Sequence, residues 1–507
     1  PKKNIISKSD SSRKEKDDPY IALKKIRKEL ARIIFSVQNI DFTYSANQSM
    51  ILPGYLPRTS NFGMDFNYDF LEDTTANRYR RSPFAPTIGF IMGDQTDIRQ
   101  RAAENGWITR NPLLASKYAT TDNQQLTGRT SVTLFKGFKV DLSVTRTMNE
   151  NYSELFSWDT SRKQFNSFNP LMQGNFTMSW MSLGSAFEKM DGISNSFREL
   201  NENRRIISRR LAENRADYAN SVIATGLSEV LPGENNEGYF NGYNKNSQDV
   251  LIPSFLAAFG PFSAERISLT AFPMIPLPNW NVNYNGLSDL EFLKKYFKTV
   301  TLTHSYRCTY STSYLTNLNG FGRENAAYTI DSINGRSITN DPMRLINFEP
   351  ANNFQMLSIT ESFSPLIGLN FAWKNGMTTV VEFKRSRNII FNVGSLQINE
   401  TRNTEFTLNW NWRLDKLNIP ITLFGKSLDL KNNITFRFEV TLRDTRTQNR
   451  RLDSDLPPEP TGGNFNMTIK PSIDYQLNQR LTARAYYEYN TNRPVLSTSF
   501  PTSYTAI

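Results

Sequence analysis

The amino-acid sequence predicts an all-β protein, a segment of a transmembrane antiparallel β-barrel with long loops that carry short helices. Apolar and polar residues alternate over long stretches, and several of these stretches are joined by two-residue turns. The mean hydropathy of the 507 residues is only −0.51, although 12% of them are aromatic. No window holds the 18 or so consecutive apolar residues that a membrane helix requires, whereas the alternating strands of a membrane barrel keep mean hydropathy low.

Residues 1–32 are predicted to form a charged, flexible segment followed by a short basic helix. The first 18 residues are polar and mostly charged, so they have little apolar surface to bury. In the helical part, Ala22, Ile26 and Leu30 recur at four-residue spacing, and lysine and arginine occupy most other positions. The helix either lies on a membrane surface or is an ordinary solvated helix that packs one stripe on a neighbour. The second alternative is favoured.

Residues 33–507 are predicted to be barrel strands and their loops. Alternation is clearest in 299–314 and in 428–443, where every second residue is apolar or aromatic and the others are polar or charged. Counting the weaker instances gives about 14 strands. Two-residue turns are predicted at Lys136-Gly137, Asn375-Gly376 and Asn478-Gln479, the second as a type I′ turn, and such turns imply antiparallel neighbours.

Long loops alternate with the short turns, an asymmetry typical of outer-membrane barrels. Helices are expected in two of the loops, over 196–219 and 97–105, and the apolar strings 252–259 and 272–280 are expected to be ordered and to fold over or into the barrel mouth. The predicted loops run over about 45–125, 182–265, 315–353 and 443–464.

The two faces of the strands predict an orientation. The apolar files are expected to face lipid, and the opposite face, which carries Lys431, Arg437, Glu439 and Arg443, is expected to face a water-filled lumen. A soluble sheet with a core on one side is the alternative. The lumen reading is favoured because the opposite face is fully charged.

Catalysis is not expected from this sequence, and no catalytic, cofactor-binding or metal-ligating residues are assigned. Cys308 is the only cysteine and His304 the only histidine, so disulfide frameworks and Cys/His zinc sites are excluded. Neither residue has a partner at motif spacing, and both are interpreted as ordinary strand residues. The net charge of +11 favours anionic partners, yet no basic stripe with interleaved aromatic residues indicates nucleic acid. Binding residues stay unknown at this stage.

Six strings spread over the chain carry a family resemblance. They are LPGYLP at 52–57, IPSFLAAF at 252–259, FPMIPLPNW at 272–280, SPLIGLNFAWKNG at 364–376, FKRSRNIIF at 383–391 and PTSYTAI at 501–507. Together they resemble the C-terminal part of the SprA/Sov family, the outer-membrane translocon of the type IX secretion system of Bacteroidetes. The resemblance spans nearly the whole chain.

The resemblance implies a segment of one very large barrel that exports folded cargo proteins from the periplasm to the cell surface. It implies as partners a PorV-like cargo-collecting barrel, a periplasmic plug protein, cargo with C-terminal secretion domains, and the lipid and lipopolysaccharide of the outer membrane. It carries over no catalytic residues and no cofactor. A TonB-dependent or lipopolysaccharide-type transport barrel, a barrel hydrolase and a surface adhesin stay open as alternatives.

Overall fold

The computed structural model describes most of the chain. The described residues are 37–58, 69–72, 78–81, 98–190, 194–222, 237–240, 242–318, 350–423, 426–454, 457–476, 480–496 and 500–507. The predicted basic segment in 1–32, the predicted turn at 478–479 and most of the predicted loop 315–353 lie outside them.

Within the described residues the chain forms sixteen strands, four α-helices and two short 3-10 helices. The strands are β1 (Val37–Ile51), β2 (Asp69–Glu72), β3 (Arg78–Arg81), β4 (Tyr118–Phe135), β5 (Phe138–Asp159), β6 (Gln164–Ser179), β7 (Asn279–Tyr284), β8 (Phe297–Thr316), β9 (Asn352–Trp373), β10 (Met377–Asn392), β11 (Gln397–Leu423), β12 (Lys426–Arg451), β13 (Glu459–Gln476), β14 (Thr482–Tyr486), β15 (Glu488–Pro494) and β16 (Thr502–Ala506). The helices are α1 (Arg99–Glu104), α2 (Asn195–Val222), α3 (Gln248–Ala258) and α4 (Glu291–Lys294), with 3-10 helices η1 (Leu183–Ser185) and η2 (Gly286–Asp289).

One antiparallel sheet of 14 strands contains all strands except the separate β2–β3 hairpin. Its order is β1-β4-β5-β6-β8-β9-β10-β11-β12-β13-β15-β16. Strand β7 pairs with β5 and β8, and β14 pairs with β13. The prediction of a mostly antiparallel β protein is therefore confirmed. None of the described helices combines the length and the apolar character that crossing a membrane would need.

The hairpin turns follow the prediction in place, and one differs in type. Strands β4 and β5 are joined by Lys136-Gly137 alone, and Gly137 has a φ of +81°. Strands β9 and β10 are joined by three residues that end at Gly376, which has a φ of +86°. The amide of Gly376 donates to the carbonyl of Trp373 at 3.3 Å. The predicted type I′ turn is wrong because only the glycine, and not Asn375, adopts the left-handed conformation.

The predicted loop 443–464 is mostly strand. Strand β12 continues to Arg451, β13 begins at Glu459, and Arg443 is paired with Asn466. The alternation is hidden in the sequence here because both faces of these segments carry polar side chains. The first predicted excursion, 45–125, is likewise entered and left by strands, since β1 runs to Ile51 and β4 starts at Tyr118.

An insertion between β6 and β7, residues 180–278, forms the largest core of the described chain with one face of the sheet. Helix α2 buries Phe197, Leu200 and Ile207. From Val250 to Ala258, helix α3 is apolar on all sides except at Ser254, and this whole stretch is buried. A helix of that composition is expected only where other elements enclose it. The sheet and α2 together enclose α3.

The insertion corrects one sequence-based expectation, that the apolar file of β8 faces lipid along its whole length. In β8, Tyr306, Cys308, Tyr310 and Tyr314 belong to the file predicted to face lipid, yet they are buried in this core. The insertion therefore replaces lipid as their apolar neighbour. It also lies on the face that carries the apolar files, and in the described residues its core contacts are with that face and not with the charged one.

Candidate functional site

One half of the sheet carries a continuous apolar band on a single face. Residues that lie directly opposite each other on antiparallel strands point to the same face, so the pairing register fixes the membership of the band. The row Phe383, Phe406, Leu442 and Met467 crosses four strands, from β10 to β13. The apolar band comprises Val140, Leu142, Trp280, Val282, Val300, Leu302, Leu369, Phe371, Val381, Phe383, Phe406, Leu408, Trp410, Phe436, Phe438, Val440, Leu442, Met467, Ile469 and Ile473.

The band is left open to the surroundings in the described residues. Leu408, Trp410, Phe438 and Val440 are only half-buried, and Ile367 at its margin is 54% exposed. It begins near the turns 136–137 and 374–376. Helices α2 and α3 lie toward the other end of the strands, so most of this face is open in one half and covered in the other. Near the turns, Val300 is an exception: it lies beside η2 and is only 1% exposed.

The opposite face of the same strands, here called the polar face, is lined with charged groups of both signs. Lys384 lies 3.7 Å from Glu405, whose other oxygen is 2.5 Å from Arg443, so one carboxylate ties three neighbouring strands together. Asp474 lies 2.6 Å from both Arg437 and Arg484. The arginine and lysine side chains of these pairs are 32–61% exposed, which means that water reaches them.

Two shallow cavities open on the polar face. One, of about 370 Å³, lies among Asp41, Arg129, Asp141 and Arg307 on β1, β4, β5 and β8. The other, of about 380 Å³, lies among charged groups at the opposite side of the sheet. Its charged lining is Arg437, Glu439, Lys470, Arg484 and Glu488. Both cavities are polar and open, and neither has the enclosed apolar lining typical of a small-molecule site.

A buried ion pair anchors the insertion to the covered half of the sheet. The side chains of Arg387 on β10 and Glu361 on β9 are each 2% exposed and lie 2.9 Å apart. The Arg387 guanidinium also donates to the carbonyl of Ser185 at 2.7 Å and to the hydroxyl of Ser182 at 2.9 Å. Tyr306 donates its hydroxyl proton to Glu361 at 2.7 Å. Because every partner is desolvated, the pair requires all of these hydrogen bonds.

Further arginines continue this attachment along the sheet. Arg402 on β11 pairs with Glu400 at 2.6 Å and donates to the carbonyl of Glu188 in the insertion. The guanidinium of Arg450 on β12 lies 5.4 Å from the centre of the Phe197 ring of α2. From the sequence, none of these arginines was assigned a role, and Arg450 was placed in the predicted loop 443–464. The pairing register places all three on one face of the sheet, where each contacts the insertion.

The single histidine and the single cysteine lie in different settings on β8. The Nδ1 atom of His304 is 2.7 Å from the carbonyl oxygen of Leu366, and its ring lies 6.4 Å from Trp280 and 6.2 Å from Phe363. Cys308 is fully buried in the core below the insertion. In the described part of the chain, no three His, Cys, Asp or Glu side chains are grouped as metal ligands would be.

Burial shifts the pKa of Asp249, the acidic residue of helix α3. It lies in the first turn of the helix, and burial raises its pKa from 3.8 to about 6. The helix dipole at this end favours the charged carboxylate, so the loss of water outweighs the dipole.

Replacing Arg387 with alanine is expected to lower the free energy of unfolding by about 3–5 kcal/mol, because Glu361 would stay buried without its counterion. The double variant Arg387→Gln/Glu361→Gln should recover part of that loss, since it leaves no buried charge. Arg451→Ala is the matched control: its side chain is 59% exposed and pairs with Asp453, so it should cost below about 1 kcal/mol. Urea unfolding of the purified chain measures all three. Equal losses for Arg387→Ala and Arg451→Ala would contradict the anchoring role.

Replacing Asp249 with asparagine should stabilise the protein at neutral pH and leave its stability near pH 4 unchanged. The folded state holds the proton more tightly than the unfolded state, so folding stability falls as pH rises from about 4 to about 6 and is constant above. Asparagine removes this loss, worth about 1–3 kcal/mol for a carboxyl that solvent partly reaches. Thermal unfolding at pH 4 and pH 7.5 tests this, with Glu265→Gln, 56% exposed, as control. A pH-independent effect of Asp249→Asn would contradict it.

Comparison with known proteins adds no relative to this picture. No protein-family model matches the chain, and no curated protein matches it. The two faces of the sheet and the insertion on one of them are therefore the features that bear on function.

Proposed function

We propose that this chain is part of an outer-membrane β-barrel that conducts proteins, and that it exports folded cargo from the periplasm to the cell surface without catalytic chemistry. The observation that carries the proposal is the two-faced half of the sheet. An open apolar band lies on one side of the strands, and paired, water-accessible charges lie on the other.

The width of the apolar band suits a bilayer. On β12 it runs from Phe436 to Leu442 and, with the buried Ile434, covers nine residues. Nine residues at about 3.4 Å each span about 30 Å along the strand. Strands of outer-membrane barrels are tilted by about 45°, and about 9–11 residues per strand are in hydrocarbon. Strands β11 and β12 have 27 and 26 residues, so more than half of each extends beyond such a layer.

The polar face suits a wall along which a folded protein moves. Its charges alternate in sign and satisfy one another across strands, so the wall offers no continuous apolar patch and no field of a single sign to hold a passing surface. A conduit of this kind acts through shape and hydration. The insertion lies on the other side of the sheet, where it does not occupy this path in the described residues.

The partners proposed for this conduit come from the family resemblance of the six sequence strings. They are a PorV-like cargo-collecting barrel, a periplasmic plug protein, cargo proteins with C-terminal secretion domains, and the surrounding lipid and lipopolysaccharide. The two-faced sheet supports a membrane setting for such an assembly, and cellular experiments must identify its members.

Site-specific photocrosslinking from neighbouring positions tests the conduit directly. A photoreactive amino acid at Thr441 should crosslink to cargo during export, whereas one at Val440 should crosslink to lipid, because the two residues are adjacent on β12 and point to opposite faces. The experiment uses the full-length protein in cells and detects adducts by mass spectrometry. Cargo adducts at Val440, or their absence at Thr441 while cargo is exported, would refute the proposal.

Arginine in the apolar band tests the membrane orientation on its own. Phe438→Arg should lower membrane stability by about 2–4 kcal/mol if the residue lies near the midplane, and Phe436→Arg should do the same. Thr435→Arg, on the polar face, should change it by less than about 1 kcal/mol. Unfolding of the chain reconstituted in lipid vesicles measures these differences. Equal tolerance on the two faces would overturn the orientation.

A further inference from the structure

Arginines recur in the two rows of residues that follow the apolar band on the side of the insertion, on the band face. The topmost apolar row contains Phe383, Phe406 and Leu442. The next row along the strands starts with Arg385 on β10 and ends with Arg493 on β15. From β10 to β15 the row is Arg385, Thr404, Asp444, Phe465 and Arg493, and on the other side of Arg385 it continues to Phe363 on β9.

The row after that places three arginines side by side. Arg387, Arg402 and Arg446 are directly opposite one another on β10, β11 and β12. Like charges in that arrangement destabilise a sheet unless other groups compensate them. Arg387 and Arg402 are buried and compensated by Glu361, Glu400 and the insertion, as described above. Arg446 is 54% exposed and is paired 3.1 Å from Asp444.

Three of these arginines therefore remain within reach of a ligand outside the sheet. Arg385 is half-buried, and Arg446 and Arg493 are exposed. Asp444 is the acidic member of the lower row, so the three guanidinium groups exceed the local carboxylate by two charges. We call Arg385, Arg446 and Arg493 the arginine rim.

An exposed aromatic side chain stands beside the arginine rim. Phe187, from the insertion, is 54% exposed, and its ring centre lies 4.9 Å from the Arg385 guanidinium carbon. Its ring also lies 5.4 Å from Phe363. Aromatic and basic residues at the margin of an apolar surface are the arrangement found where proteins meet the headgroup layer of a membrane.

We propose that the arginine rim binds the phosphate groups of anionic lipid headgroups in the leaflet on the insertion side. The inference rests on the proposed membrane setting, in which the apolar band occupies the hydrocarbon and the rim falls at headgroup depth. The planar guanidinium donates two parallel hydrogen bonds to phosphate, which suits arginine better than lysine for this contact. The insertion then stands on the membrane surface with Phe187 at the boundary.

A triple variant with a matched control on the other face tests the rim. Arg385→Gln/Arg446→Gln/Arg493→Gln removes it, and Arg413→Gln/Arg437→Gln/Arg443→Gln removes three arginines of the polar face that are 59%, 51% and 49% exposed. Full-length wild type and both variants are reconstituted in nanodiscs of phosphatidylcholine with and without phosphatidylglycerol or lipid A. Lipid that stays bound after detergent extraction is then counted by mass spectrometry.

Wild type and the polar-face variant should retain anionic lipid over phosphatidylcholine, and the rim variant should lose about tenfold or more of that preference. If all three proteins insert equally but the rim variant keeps the preference, the rim assignment fails and the proposed function stands. If wild type inserts into neither bilayer, the proposed function fails as well. If millimolar inorganic phosphate abolishes the preference, the rim is a general anion site and the lipid assignment is overturned.

Discussion

The pairing register of the large antiparallel sheet is the constraint on which the rest of the structure depends. Once Phe383 is opposite Phe406 and Phe406 is opposite Leu442, the face of every neighbouring residue on these strands is decided. A shift of one strand by one residue would move its charges, such as Lys384 on β10, to the apolar face and its apolar residues to the polar face. The ion pairs of the polar face and the apolar band thus specify the same register from opposite sides.

Along a strand, the face that carries the apolar band is first open and then covered by the insertion. The change from one to the other takes only a few residues. On β10, Val381 and Phe383 belong to the open band, Arg385 begins the basic rows, and Ile389 and Phe391 are fully buried under the insertion. Buried apolar residues and a desolvated ion pair hold the insertion together. The apolar contacts supply most of the stabilisation, while Arg387 fixes where η1 is seated, because a misplaced guanidinium would leave a buried charge unpaired.

Sequence alternation was enough to predict the antiparallel β class, the long strands β8 and β12, and helices at α1 and α2, because each depends on a local period. It failed where the environment is set by distant segments. Residues 443–451 look like a loop because Arg446 and Arg450 replace apolar residues in the file. Tyr310 looks lipid-facing because the sequence does not show that the insertion covers it, with the Ala271 carbonyl accepting its hydroxyl proton. The arginine rows were invisible for the same reason: their members are separated by up to 108 positions, between Arg385 and Arg493, and only the register aligns them.

The position of the insertion bears on how such a protein would keep a wide path open. An element inside a conduit narrows it. An element packed on the outside stiffens the wall and leaves the cross-section of the conduit unchanged. In the described residues the insertion covers strands β6 to β11 from the band face, over the half that extends beyond the apolar band. Without it, strands β8, β9 and β10, of 20, 22 and 16 residues, would expose Tyr310, Leu357 and Phe391. In the proposed conduit, the insertion would therefore let the strands extend past the membrane while the polar face stays free for cargo.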